Sequence, residues 1–187
     1  MVHMAEKKVK KRKSELRELL ETALFSFIFV LILTTIFIKP VRVYGSSMYP
    51  TLHDGDVGFS NIIGLKTGGI ERFDIVVIKM HGSSEHLVKR IIALPNEQIC
   101  YSGDKLYIDG LYISENFFDI PYVTSTSSNG VFTKDFACQI LGDNEYFAMG
   151  DNRPYSTDSR YYGTFTTDQL VSKGIFVIWP LTDFGIR

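Results

Sequence analysis

The chain has 187 residues, room for one domain or a domain with a small insertion. Hydrophobic residues make up 45%, charged residues 22% and aromatic residues 13%, which excludes disordered, collagenous and low-complexity classes. Twenty Lys/Arg against 21 Asp/Glu leave a net charge of −1, without the basic excess of a nucleic-acid binder.

That balance conceals an asymmetry. Residues 1–21 carry seven Lys/Arg and four Glu, a net of +3, so residues 22–187 hold −4. Lys7, Lys8, Lys10, Lys11, Arg12 and Lys13 form a basic run inside a tail spanning 1–18. From 19 to 38 the chain is mostly apolar, and Ala23 to Ile38 contains no charge. A helix over 19–38 reaches ~30 Å at ~1.5 Å per residue, the thickness of a bilayer's hydrocarbon core. Lys39-Pro40 stops it, because proline lacks a donor and disfavours helix in the residue before it. A cleaved secretory signal would be shorter and end in a small-x-small site, and a buried core helix rarely runs so long uncharged. The segment is expected to be an uncleaved single-pass transmembrane anchor. The basic tail puts the N-terminus in the cytoplasm and residues 39–187 on the extracytoplasmic side of the cell membrane.

Beyond Pro40 the patterns are short and strand-like. Strands are expected at Ile75 to Ile78, Leu87 to Leu94, Tyr146 to Met149 and Gly174 to Trp179. Asp109-Gly110 between two short apolar runs reads as a hairpin. No helical period of useful length occurs between Val41 and Gln169, and Thr124 to Gly130 reads as a polar loop. Cys100 and Cys138 are too few for a disulfide scaffold; they read as unpaired, with one mutual bridge as the alternative. His3, His53, His81 and His86 lack zinc-ligand spacing, so no metal or other cofactor is expected. The expected fold is mainly β, an antiparallel β-sheet domain on one N-terminal transmembrane helix.

Three segments could carry chemistry. Tyr44 to Leu52 sets a glycine beside paired serines and closes with Pro50-Thr51, a tight backbone that can expose a hydroxyl and free amide N–H groups. It also reads as an ordinary Gly-Ser turn. In His86 to Ile92, alternation puts Lys89 between Leu87 and Ile91 on one strand face. A lysine held there is desolvated and its pKa falls, unless it reaches water at a sheet edge. Met149 to Gly163 is dense in polar turn formers. Asp158 and Arg160, two apart on an extended chain, could pair, and Ser156 could bond a neighbour such as Lys89.

Taken together, the segments resemble the type I signal peptidase family of membrane-bound serine endopeptidases. The likeness runs through the basic tail, the anchor, Ser47-Met48-Tyr49-Pro50-Thr51-Leu52, Gly55-Asp56-Val57, Arg72 to Val76, Val88 to Ile92 and Met149 to Gly163. It implies Ser47 as nucleophile, Lys89 as general base, Ser156 as the serine orienting the lysine, and a supporting Asp158–Arg160 salt bridge. It further implies cleavage of signal peptides from exported preproteins after small-x-small (Ala-x-Ala) sites through an acyl-enzyme. Shallow pockets lined by Val41, Val43, Tyr44, Leu87 and Val88 would set that preference, and the expected partners are signal peptides and membrane lipid, with the enzyme a monomer that binds no nucleic acid. Two departures stand out. Asn96 replaces a turn glycine, which asparagine tolerates in the left-handed conformation, and Gly45 stands where some members carry an oxyanion-assisting serine. Residues 95–145 are short for the family's second β-region and should form a small inserted cap. A self-cleaving repressor with the same pair of side chains, and an inert membrane-tethered β module, are the rival readings. A histidine base at His53 or His86 is a further alternative.

Overall fold

The computed structural model describes residues 2–187, with side chains from 15 onward apart from 35 and 36. It divides into two units, 1–38 and 39–187. In the first, helix α1 (Val2–Ile32) passes into a π-helical turn, Leu33–Phe37. The side chains of the basic run lie outside the described residues. No helix among the described residues is long and apolar enough to cross a membrane. The reason is local. α1 ends at Ile32, so its uncharged part, 22–32, spans ~16 Å at ~1.5 Å per residue. The π-turn and the start of a strand take up the rest of the segment expected to be one helix over 19–38. Every large apolar side chain from Leu19 to Ile32 is nonetheless exposed, by 43–73%.

The second unit is antiparallel β structure. Its elements are β1 (Ile38–Arg42), β2 (Val57–Asn61), α2 (Ile62–Gly68), β3 (Ile75–Lys79), β4 (His86–Ala93), β5 (Gln98–Tyr101), β6 (Leu106–Ile108) and β7 (Leu111–Ile113). There follow α3 (Ile120–Thr126), β8 (Phe136–Ile140), β9 (Glu145–Met149), α4 (Ser159–Tyr162), β10 (Phe165–Thr166), β11 (Leu170–Trp179) and β12 (Gly185–Ile186). The larger sheet runs β1-β2-β11-β3-β4-β9-β10, with β12 beside β11; the smaller runs β7-β6-β5-β8. β4 and β9 are neighbours, so the smaller sheet is an insertion in the connection between them. Ile92, Phe147 and Met149 of the larger sheet pack with Ile99, Tyr101, Leu106 and Ile108 of the smaller, so one apolar core joins the two.

Asp109 and Gly110 turn the β6–β7 hairpin with φ of 50° and 78°, the pair of positive values that a tight two-residue turn requires. Asn96 also sits at positive φ, 68°, so it occupies the turn as a glycine would. β11 begins four residues earlier than the expected strand at 174–179. Gly174, at φ 63°, marks a register shift between Lys173 and Ile175, and that bulge interrupts the alternation.

Two corrections concern helices. α2 and α3 are seven residues each, too short to display a period, and they owe their starts to caps. Asn61 accepts from the Gly64 N–H at 2.7 Å, and Asp119 from the Tyr122 N–H at 2.7 Å. α3 therefore takes the first part of the stretch expected as a polar loop over 124–130. Cys100 and Cys138 are bonded to each other, tying β5 to β8, which corrects the unpaired reading. Adjacent strands bring their Cα atoms to 4.3 Å, a proximity that spacing along the chain does not reveal.

Candidate active site

The turn carrying Ser47 is pinched at its base. Val43 N–H donates to Asp56 O at 2.8 Å and Gly55 N–H to Val43 O at 3.0 Å. Inside that loop Met48 and Leu52 are buried with Val43, Ile75, Ile175 and Val177, anchoring the turn to the larger sheet. Gly45 has φ 79° and gives its N–H to Asp54 Oδ1 at 2.8 Å. The Ser47 N–H donates to nothing among the described residues.

Lys89 reaches this turn from the middle of β4. Its Nζ lies 2.6 Å from Ser47 Oγ, and the side chain is 2% exposed. Burial lowers its pKa from 10.5 to about 8; Asp158 and Asp151 push back and Arg160 adds to the fall. Neither His53 nor His86 bonds to Ser47 among the described residues.

The stretch 150–160 braces both partners. Asn152 donates its backbone N–H to Ser47 O at 3.0 Å and its side-chain amide to Ser46 O at 2.9 Å, while its Oδ1 accepts from Tyr122 Oη at 2.8 Å. Asp151 receives Arg90 through both oxygens and Thr51 Oγ1 at 2.5 Å. Gly150 has no room for a side chain: a Cβ would run into Ser156 Oγ and the Ser47 carbonyl oxygen. Arg160 grips Asp158 with two bonds of 2.8 Å, and Asp158 Oδ2 also accepts the Gly150 N–H at 2.9 Å. Burial raises the Asp158 pKa, but these bonds outweigh it and hold the carboxyl below its ordinary value. The pair forms at a helical turn, with Asp158 capping α4, and not along the extended chain that was expected.

Arg153 links this stretch to the inserted sheet. It is buried and bonds to Gly150 O, Thr133 Oγ1, Tyr101 Oη and Glu115. Burial works against its charge, yet Tyr101 and Glu115 outweigh that and raise its pKa.

Three expectations need correction. Ser156 packs at the site, yet its buried Oγ has no hydrogen-bond partner, Lys89 included. A cleft of about 270 Å³ is lined by Val41, Tyr44, Val77 and Val88 together with Lys39 and His86. Val43 is absent from it because its side chain is buried under the turn, at 4% exposure. Leu87 is absent because strand alternation turns it away from Val88, onto the cluster of Val76, Ile78 and Ile91. Arg90, Thr51, Gly150, Asp151 and Asn152 were not singled out from sequence as site residues. Their only signal was position, beside Lys89, beside Ser47 or within the polar stretch.

A serine hydroxyl touching a buried amine can attack a carbonyl while nitrogen takes the proton, which is the equipment of a serine hydrolase. Residues 16–179 match the family described as signal peptidase, peptidase S26. The chain belongs to that family and is a serine endopeptidase of the signal peptidase I type. It is 33% identical over 180 residues to signal peptidase IB of Staphylococcus aureus, covering 92% of this chain and 94% of that one. It is 37% identical over 185 residues to signal peptidase I of Bacillus amyloliquefaciens, covering 96% and 93%. A crystal structure of a signal peptidase I from Enterococcus faecalis V583 is 32% identical, with a TM-score of 0.48, covering 56% of this chain and 95% of that one. The family match sets the repressor reading aside.

Proposed function

We propose that the protein is a membrane-anchored signal peptidase that frees exported preproteins by cutting after small-x-small sites. Neutral Lys89 takes the proton of Ser47, whose oxygen attacks the scissile carbonyl. The C–N bond then breaks, and the ammonium returns its proton to the departing amine of the mature protein. The again-neutral lysine deprotonates the water that hydrolyses the acyl-enzyme and frees the signal peptide's carboxylate. The observation that carries this is the 2.6 Å approach of Nζ to Oγ by a lysine only 2% exposed. The unengaged Ser47 N–H suits the developing oxyanion, and Gly45 can offer neither a hydroxyl nor an amide already committed to Asp54. Arg160 and Asp158 brace the loop beside Lys89.

The substrate would lie extended against the cleft bearing Val41, Tyr44 and Val88, as an added strand. The valines of that cleft, which Lys39, Arg42 and His86 also line, would receive alanine-sized side chains.

The anchor reading rests on the exposed apolar side chains of Leu19 to Ile32, which form no polar face. With the π-turn they make a continuous helical rod of ~28 Å at ~1.5 Å per residue, near the depth of a bilayer core. The net +3 of residues 1–21 favours a cytoplasmic N-terminus. The Cys100–Cys138 bond fits an extracytoplasmic position for 39–187, since disulfides persist in oxidising compartments.

The test is cleavage in trans of a preprotein ending its signal in Ala-x-Ala by purified enzyme, beside Ser47→Ala and Lys89→Ala. Both variants should leave the preprotein intact. Cleavage by Lys89→Ala at the wild-type rate would refute the amine as base, and self-cleavage alone would refute the peptidase reading.

A further inference from the structure

We infer that His53, Asp56 and Asp183 form a binding site for a divalent transition-metal ion of the zinc class. His53 Nδ1 and one carboxylate oxygen from each aspartate lie within 4.8 Å of one another. Asp56 is 2% exposed. Its Oδ2 accepts the His53 backbone N–H at 2.9 Å, but its Oδ1 is buried without a partner. A native fold rarely leaves such an oxygen unsatisfied, so an unfilled valence on a buried carboxylate grouped within 4.8 Å of an imidazole and a second carboxylate points to a ligand.

The spacing of the other two donors agrees. His53 Nδ1 lies 3.3 Å from Asp183 Oδ2, in ion-pair range, yet this buried nitrogen has no hydrogen bond. Metal–ligand bonds of ~2.0–2.1 Å at a tetrahedral angle put ligand atoms ~3.3 Å apart. One imidazole with two carboxylates suits zinc or a neighbouring transition ion, and the nitrogen disfavours calcium and magnesium, which take oxygen ligands. The side chains of His53 and Asp183 are 41% and 20% exposed, so the cluster lies close to the surface, where an ion can arrive.

The site would join two segments that Arg187 already bridges. Arg187 Nε donates to Thr51 O at 3.1 Å, and Nη2 to Asp183 O at 3.0 Å. A bound ion adds a second clasp between the loop that carries Ser47 and the C-terminal strap. Histidine spacing could not announce this site, because His53 is its only histidine and Asp183 arrives from the far end of the chain.

The inference is independent of the cleavage reaction, since its readout is metal uptake. Full-length enzyme in detergent, stripped with a chelator, is titrated with Zn²⁺ at neutral pH against a chromogenic zinc competitor. The wild type should take up one equivalent and melt at a higher temperature when loaded. His53→Ala and Asp183→Asn should each bind at least ~10-fold more weakly and lose that rise, while His81→Ala and His86→Ala keep both. The two ligand variants remove partly exposed groups, and matching far-UV circular dichroism checks that they fold. No uptake, or uptake untouched by either substitution, would overturn the site.

Discussion

Arg90 and Asp151 meet through two parallel hydrogen bonds, Nε to Oδ1 at 2.8 Å and Nη2 to Oδ2 at 2.6 Å. Their side chains are 9% and 1% exposed, so each neutralises a charge the other would leave stranded. Arg90 follows Lys89 on β4, and Asp151 also holds Thr51 in the loop of Ser47. Asp151→Ala should cost ~3–5 kcal/mol in a denaturant melt, because it abandons a buried guanidinium. A melt indistinguishable from wild type would mean that water can take the place of the carboxylate.

Lys89 should set the pH dependence of turnover. With its pKa near 8, kcat/KM should fall about tenfold per pH unit on the acid side of that value. A profile flat through mildly acid pH would remove the amine from the mechanism.

The same lysine should weaken the fold. Its folded pKa lies below its unfolded one, so between about 8 and 10.5 the unfolded chain binds a proton that the folded chain does not. Stability attributable to Lys89 therefore rises with pH across that window, and below it the full penalty of a buried ammonium applies. Lys89→Met should be inactive yet more stable than wild type at neutral pH by up to about 3 kcal/mol. The advantage should shrink as the melt is repeated at higher pH.

Gly150→Ala tests how closely the polar stretch packs on Ser47. One of the atoms its methyl would strike is the Ser47 carbonyl oxygen, which cannot swing aside as a side chain can. Misplacing the nucleophile in this way should lower single-turnover acylation by ~100-fold or more. Unchanged acylation would show that the turn can yield.

The disulfide should matter for stability and not for chemistry. It closes a loop of 38 residues, and loop-closure entropy puts its contribution at about 4 kcal/mol. Replacing both cysteines by serine should lower the melting temperature while the rate of acylation at Ser47 stays near wild type. A large loss of turnover at a temperature where the variant is folded would tie the inserted sheet to catalysis directly.

Ser47 and Lys89 sit in local patterns that read equally as an ordinary Gly-Ser turn and a sheet-edge lysine. The resemblance across three segments singled them out, and the fold brings their side chains to 2.6 Å. Asp109-Gly110 and Asn96 were legible locally, since a positive φ narrows the choice of residue. What escaped is what depends on approach across the fold. Asn152 holds the Ser46 carbonyl from 106 residues away, and Cys100 meets Cys138 only after β5 and β8 have paired. Val43 and Leu87 look as suited to a pocket as Val41 and Val88; only the pleat and the pinched loop decide which of them points inward. The short helices were hidden because caps, and not periodicity, create them.

One short stretch, 150–160, grips the Ser47 turn by its carbonyls and the Lys89 strand through the neighbouring guanidinium. Anything that prises it loose shifts both Ser47 and Lys89. A small molecule wedged beneath it would part Ser47 from Lys89 without entering the cleft of Val41 and Val88.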